Sequence, residues 1–184
     1  MEEGYFVAPP KNTRDSWSRP SDVKEWNPPV SEEQSRWRKE EVSRWLEAGV
    51  CEVDTSNDKG ITHPLLVVDK PGWKEQPTAE LQWEKRFRLC LAVRKWVNES
   101  LKAPHFRMET LQVATRSIWP GDMLAKGDLK NGYNHVLLDE KCRRFWRFKL
   151  DGVTYRMRVL FFGLATAPFV FSLCMTQVVR VWRN

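Results

Sequence analysis

Asp151-Gly152, set between two runs in which apolar and polar residues alternate, constrains this chain more than any other pair of residues in it. Both central positions of a type I′ two-residue hairpin turn need positive φ, which Asp-Gly supplies at little cost. The flanks, Phe145 to Leu150 and Val153 to Val159, therefore read as two antiparallel strands joined by a tight turn.

Three helical patterns accompany it. Ser31 followed by Gln34 has the spacing of a capping box, and Val42, Trp45 and Leu46 then share one face until Gly49, which predicts a helix over about 31 to 48. Met108, Leu111, Ala114 and Ile118 recur at helical spacing between Phe106 and Ile118, and Pro120-Gly121 ends that pattern. Ala167-Pro168 opens a third pattern through Phe171, Met175 and Val178, because proline is tolerated in a first helical turn.

The remaining apolar runs are short. Val50 to Val53 and Leu65 to Asp69 read as an antiparallel pair across the polar loop Thr55 to Gly60, with further strands at Arg86 to Val93 and Met123 to Leu129. Residues 71 to 84, broken by Pro71-Gly72 and Pro77, read as a long mobile loop. Five prolines among residues 1 to 30 make that segment an extended or poorly ordered arm, expected to wrap or fray rather than build core.

Composition narrows the class. With 41% hydrophobic residues, 29% charged residues and ten tryptophans, the chain is neither a disordered tail nor a membrane protein. No apolar run approaches a bilayer span and the N-terminal Met-Glu-Glu-Gly does not open a secretory signal, so an intracellular address is expected. Cys51, Cys90, Cys142 and Cys174 lie far apart and are read as reduced thiols. His63, His105 and His135 have no metal-ligand spacing, so any metal would be held by carboxylates.

Charge is concentrated. The net charge is +6, and residues 141 to 160 hold seven Lys/Arg against Asp151 alone, which accounts for the whole excess. Arg143, Arg144, Arg147, Lys149, Arg156 and Arg158 are the candidates for binding a polyanion, and a solvated face is the alternative.

Two motifs point to chemistry: GDLKNGY at residues 127 to 133 and LFFGLATAP at residues 160 to 168. Nucleotidyl transfer needs carboxylates that hold two divalent cations, and Asp128, at the end of an expected strand, suits that role. Tyr133, five residues on, can floor a sugar pocket and exclude a 2′-hydroxyl, or be an ordinary core tyrosine.

GDLKNGYNHVLL, RRFWRFKLDGVTYRMRVLFFGLATAPFVFSLCM and the upstream RFRLCLAVRKWVN together resemble, in order and spacing, the reverse transcriptases of long-terminal-repeat (gypsy-like) and DIRS-type retrotransposons, over roughly residues 36 to 182. The resemblance implies an α+β right-hand polymerase fold, with a fingers subdomain at 31–120 and a partial palm subdomain at 121–184 after the 1–30 arm. It implies RNA-directed DNA polymerase activity on a primer-template of RNA or DNA, with dNTP as substrate. Mg²⁺ or Mn²⁺ would sit at Asp128 and the adjacent Leu129. Tyr133 becomes the steric gate, Phe162-Gly163 lines the incoming nucleotide and template, and Arg88 and Lys70 meet the triphosphate and base.

The chain departs from the family pattern at four places. Ala92 stands where an aspartate or asparagine is usual, and one extra residue separates Arg94 from Asn98. Phe161 replaces the proline of L-P-F-G-L, and Lys126-Gly127 precedes the aspartate where small or apolar residues are common. The Tyr-x-Asp-Asp strand with the remaining carboxylates would lie beyond Asn184, so the metals are expected only in a complete enzyme and this chain alone is expected to be inactive. The competing expectation is a non-catalytic remnant that binds nucleic acid or a protein partner.

Overall fold

The computed structural model describes residues 4–10, 17–71, 86–101, 104–108, 110–116, 118–124 and 126–183. The capping box forms as expected. Ser31 Oγ accepts from the Gln34 amide at 3.2 Å and Gln34 Oε1 accepts from the Ser31 amide at 3.1 Å, opening helix α1, Glu32–Glu47. Its inward face carries Trp37, Arg38 and Val42, with Trp45 and Leu46 half-buried beside them.

The Asp-Gly turn also forms. Asp151 and Gly152 have φ of 50° and 79°, and strands β4, Arg147–Leu150, and β5, Val153–Met157, pair antiparallel across them. The short strand β1, Cys51–Val53, joins the other side of β5, giving the order β1-β5-β4. Strands β2, Leu65–Asp69, and β3, Phe87–Leu91, form a separate antiparallel pair.

This pairing corrects one expectation, because β1 and β2 are not partners. The intervening residues cross from the β5 side of the hairpin to its β4 side. They run along the hairpin, where His63 N donates to Arg147 O at 2.8 Å and Asp54 N donates to Thr154 O at 2.9 Å, and so deliver β2 to another sheet. Pairing of β1 with β5 also means that this sheet draws on both sides of residue 120.

Between β3 and the hairpin the helices are short: α2, Lys95–Ser100, α3, Leu111–Arg116, and α4, Glu140–Arg143. The helix expected over 106 to 118 is thus reduced to its middle. Met108 and Ile118 are exposed, while Phe106 packs its ring 5.6 Å from that of Phe169. The strand expected over 123 to 129 does not form among the described residues. Its backbone finds no ladder there, and Met123 and Leu124 stay in solvent. The long C-terminal helix α5, Ala167–Arg183, follows the Ala-Pro start as expected.

The core lies between α1 and the two sheets. Trp37 meets Phe87 at 5.4 Å, Trp45 meets Phe148 edge-on at 6.2 Å, and Phe148 stacks on Tyr155 at 5.1 Å. Phe148, Leu65 and Leu160 are wholly buried, and each such side chain contributes roughly 1.5–3 kcal/mol by leaving water. The arm does more than wrap. Val7 is buried in the core, Trp146 Nε1 donates to Val7 O at 3.1 Å, and Tyr5 N donates to Leu137 O at 2.8 Å. The loop expected over 71 to 84 lies, apart from Pro71, outside the described residues. No helix among the described residues is long and apolar enough to cross a membrane.

Candidate functional site

Strand alternation on β3 sends Phe87, Leu89 and Leu91 into the core and leaves Arg88 facing out. Arg88 thereby reaches an open cleft of about 500 Å³ between α1, β3 and two loops. Lys70, just past β2, lines the same cleft, as do Leu129, Lys130 and Asn131 of the GDLKNGY segment and Phe162 of the FFG segment. Among the described residues that line it are four cations, Arg44, Lys70, Arg88 and Lys130, and one carboxylate, Glu41, which Arg44 holds at 3.0 Å. The cleft favours an anion.

Phe162 backs onto a run of rings behind the cleft wall. The Arg88 guanidinium lies 5.1 Å over the Phe162 ring, Phe162 is 4.9 Å from Tyr133, and Tyr133 meets Phe171 of α5 edge-on at 5.4 Å. Tyr133 is therefore half-buried in packing while standing behind Phe162. The turn that presents it starts at Asn131, whose φ of 53° and ψ of 49° are left-handed, a conformation asparagine tolerates. His135 Nε2 lies 3.2 Å from Lys130 O and closes this turn from its far end.

Gly163 fixes the other loop. Its φ is +103°, and a Cβ there would stand 2.5 Å from Leu91 O, so only glycine lets the loop approach the end of β3. Asn98 clamps it. The side chain donates to Gly163 O at 2.7 Å and accepts from Ala165 N at 3.0 Å. Asn98 sits in α2, which Arg94 caps. Asn98 was legible only as a motif position, since its partners are backbone atoms distant in sequence.

Asp128 is exposed on an irregular segment next to the cleft-lining Leu129. No group of three His, Cys, Asp or Glu side chains among the described residues is placed to hold a metal ion. The structure thus brings Lys70, Arg88, Leu129 and Phe162 together, with Tyr133 and Gly163 behind them and Asp128 beside them.

Arginines of the basic hairpin make ion pairs within the fold. Arg147 is fully buried, pairs with Asp54, and donates to Asp58 O at 2.9 Å and Ser56 Oγ at 3.1 Å. Glu52 gathers Arg143 at 3.2 Å, Arg156 at 2.6 Å and Arg158 at 3.5 Å. Arg144 lies over the rings of Trp17 and Phe145. Lys149 donates to Val23 O at 2.9 Å and keeps part of its surface in solvent. Two carboxylates far away in sequence, Glu52 and Asp54, hold four of the arginines of this basic segment and offset part of its charge. Burial raises the Cys51 thiol to about 12 and the Cys142 thiol to about 11, which keeps both protonated and unreactive.

A family model described as reverse transcriptase (RNA-dependent DNA polymerase) matches residues 85–184, more than half of the chain. The chain belongs to the reverse transcriptase family. A curated relative, the retrovirus-related Pol polyprotein from transposon 412 of Drosophila melanogaster, is 30% identical over 113 residues, which is 61% of this chain and 9% of that one. Among solved structures, the prototype foamy virus protease-reverse transcriptase is similar over 98% of this chain and 20% of its own, with a TM-score of 0.60 and 16% identity. A foamy viral protease-reverse transcriptase in complex with double-stranded DNA is similar over 90% of this chain and 34% of its own, with a TM-score of 0.61 and 14% identity. The α+β polymerase fold of reverse transcriptases is therefore the fold of this chain, which spans a small part of these relatives' length.

Reverse transcriptases work with divalent metal, and the donor set can be tested against that need. One exposed carboxylate at Asp128 with the neighbouring Leu129 backbone falls short of the six oxygens that Mg²⁺ prefers. Within the described residues of this chain the set does not fit a two-metal centre.

Proposed function

We propose that this chain is the nucleotide-facing part of an RNA-directed DNA polymerase of a retrotransposon, and that its cleft takes the triphosphate of a dNTP. The observation that carries this reading is the convergence of Lys70, Arg88 and Lys130 with Phe162 on one cleft beside the Asp128 segment. Guanidinium and ammonium groups suit phosphate oxygens, and the Phe162 ring gives a flat apolar neighbour to a sugar or base. Tyr133, packed behind Phe162, limits the room for a 2′-hydroxyl. The transposon 412 relative supports the retrotransposon origin, and the foamy viral structures with DNA support a primer-template as partner. In this reading residues 31–120 act as fingers and 121–184 as part of the palm.

Asp128 favours a second statement, that the isolated chain does not polymerise. Metal-assisted transfer spreads the developing charge over two cations, and a lone carboxylate holds neither firmly. A non-catalytic role in binding nucleic acid or a protein is the alternative for the chain by itself.

Displacement of a fluorescent nucleotide by dATP in Mg²⁺ buffer tests the cleft. Arg88→Ala and Lys70→Ala are each expected to weaken dATP at least about fivefold, in line with loss of a charge-assisted hydrogen bond. Unchanged affinity in both would sink the cleft assignment. Primer extension on a poly(rA) template is expected to give no incorporation, and extension that Asp128→Asn abolishes would overturn the claim of inactivity.

A further inference from the structure

We propose that Arg86 is a positioning residue, which ties the outer end of the β2–β3 pair to the first turn of α1 and thereby holds Lys70 and Arg88 at the cleft. The inference rests on the reading of that cleft as a triphosphate site. Among the described residues β2 and β3 pair with each other and not with the three-stranded sheet, and a two-stranded pair is marginal on its own. Its inner end is well seated. Leu65 and Leu91 are buried, and Asn27 Oδ1 accepts from Leu65 N at 2.8 Å. Burial then falls along β2, from Leu65 at one end to exposed Val68 and Asp69 at the other. Two cations of the cleft belong to this outer end, because Arg88 pairs with Val68 and Lys70 follows Asp69.

Arg86 is where that end meets the rest of the fold. Its carbonyl accepts from Lys70 N at 2.8 Å, which fixes the backbone that carries one of the two cations. Its guanidinium spans two elements. Nε donates to Asp69 Oδ1 at 3.1 Å, within the pair, and Nη1 donates to Glu33 Oε2 at 3.0 Å, on α1. The same guanidinium lies 4.6 Å over the Phe87 ring, and Phe87 packs on Trp37 of α1 at 5.4 Å. Glu33 stands in the first turn of α1, where the helix dipole favours a carboxylate. Arg86 is not among the described residues that line the cleft, whereas Lys70 and Phe87, which it holds, are.

The consequence for binding is a matter of populations. Where a site needs one orientation of a segment, its apparent affinity falls with the fraction of molecules in that orientation. Loss of the Glu33 contact leaves the outer end to its ladder bonds and the Phe87 ring, so Lys70 and Arg88 spend less time together at the cleft. The sign of the effect separates this role from direct contact. If Arg86 met phosphate itself, Glu33 would compete for it, and Glu33→Gln would tighten dATP.

Displacement of a fluorescent nucleotide by dATP from the whole chain in Mg²⁺ buffer, together with amide exchange read by mass spectrometry, tests this. Glu33→Gln and Arg86→Gln are each expected to weaken dATP roughly two- to fivefold, the scale of a half-exposed ion pair. Each is also expected to speed exchange over residues 65–70, because the outer end opens more often. The double variant should lose about as much as Arg86→Gln alone, since both changes remove one contact. Unchanged or tighter dATP in Glu33→Gln overturns the proposal, and so do losses that add in the double variant. Arg88→Ala keeps the two readings apart. If it weakens dATP while Glu33→Gln and Arg86→Gln do not, the positioning role fails and the cleft stands. If Arg88→Ala has no effect, the cleft assignment falls and takes the positioning role with it.

Discussion

Arg147 and Asp54 form an ion pair with both side chains fully excluded from solvent, joining the first residue of β4 to the residue that follows β1. Desolvation lowers the Arg147 pKa and the Asp54 carboxylate opposes that shift, so the pair offsets part of the cost of burying the guanidinium. Removing one partner strands the other charge in the interior, at a cost of about 3–5 kcal/mol. Arg147→Ala and Asp54→Ala are each expected to lose that much in urea unfolding. Arg147→Ala combined with Asp54→Ala should lose clearly less than the two single losses added. Additive losses would show that the charges are not coupled.

That pair also marks the boundary of what was legible in the sequence. The hairpin, the capped helix α1 and the start of α5 were readable because their signals are local: an Asp-Gly turn, a Ser-x-x-Gln box, an Ala-Pro opening. The motif residues around the cleft were readable as a resemblance, and Lys70, Arg88, Leu129 and Phe162 do meet. What failed was non-local. Nothing near Cys51 announces Met157 as its partner, and nothing in the run of hairpin arginines announces Glu52 or Asp54. The strand expected over 123 to 129 illustrates the same limit, since apolar residues become a strand only where a neighbour takes their hydrogen bonds.

Gly163 is the tightest point of the site. With φ at +103° and Leu91 O in the place of a Cβ, Gly163→Ala must push the loop away from β3 and break the Asn98 clamp. The backbone strain alone costs on the order of 1–3 kcal/mol. Expected results are a lower unfolding midpoint and weaker dATP binding, because Phe162 moves with the loop. Wild-type values for both would mean that the loop can relax without cost. Gly152→Ala, at φ +79° with nothing within 4 Å, should lower stability and leave dATP affinity intact.

His63 gives the fold a pH dependence. Its ring stacks on Trp146, with Nε2 3.0 Å from Phe145 O and Nδ1 accepting from Arg94 N at 3.2 Å, which defines a neutral ring protonated at Nε2. Burial, the largest cause, lowers its pKa to about 4, with the Phe145 carbonyl opposing and Arg94 assisting. The unfolded chain takes up this proton near the ordinary value of 6.5 while the folded one refuses it until about 4. Stability is therefore full above pH 6.5 and falls as pH drops toward 4, by a total on the order of 3 kcal/mol. Urea midpoints across this range should show the slope, and His63→Gln should flatten it. An equal slope in the variant would assign the effect to other groups.

Phe161 stands where the family pattern has proline, and as sequence it counts only as a departure. In the fold it is 3% exposed and packs its ring 5.8 Å from that of Trp146, which in turn stacks on His63. Phe161 thus fills the space between the FFG loop and the hairpin. Restoring the family residue with Phe161→Pro leaves a cavity of ring size, and large-to-small changes of this kind cost about 3–5 kcal/mol. The variant is expected to unfold at lower urea and to expose Trp146, seen as a red shift and easier quenching of its fluorescence. A neutral or stabilising Phe161→Pro would mean that neighbouring side chains collapse into the space, and the residue would then be an incidental substitution rather than part of this chain's core.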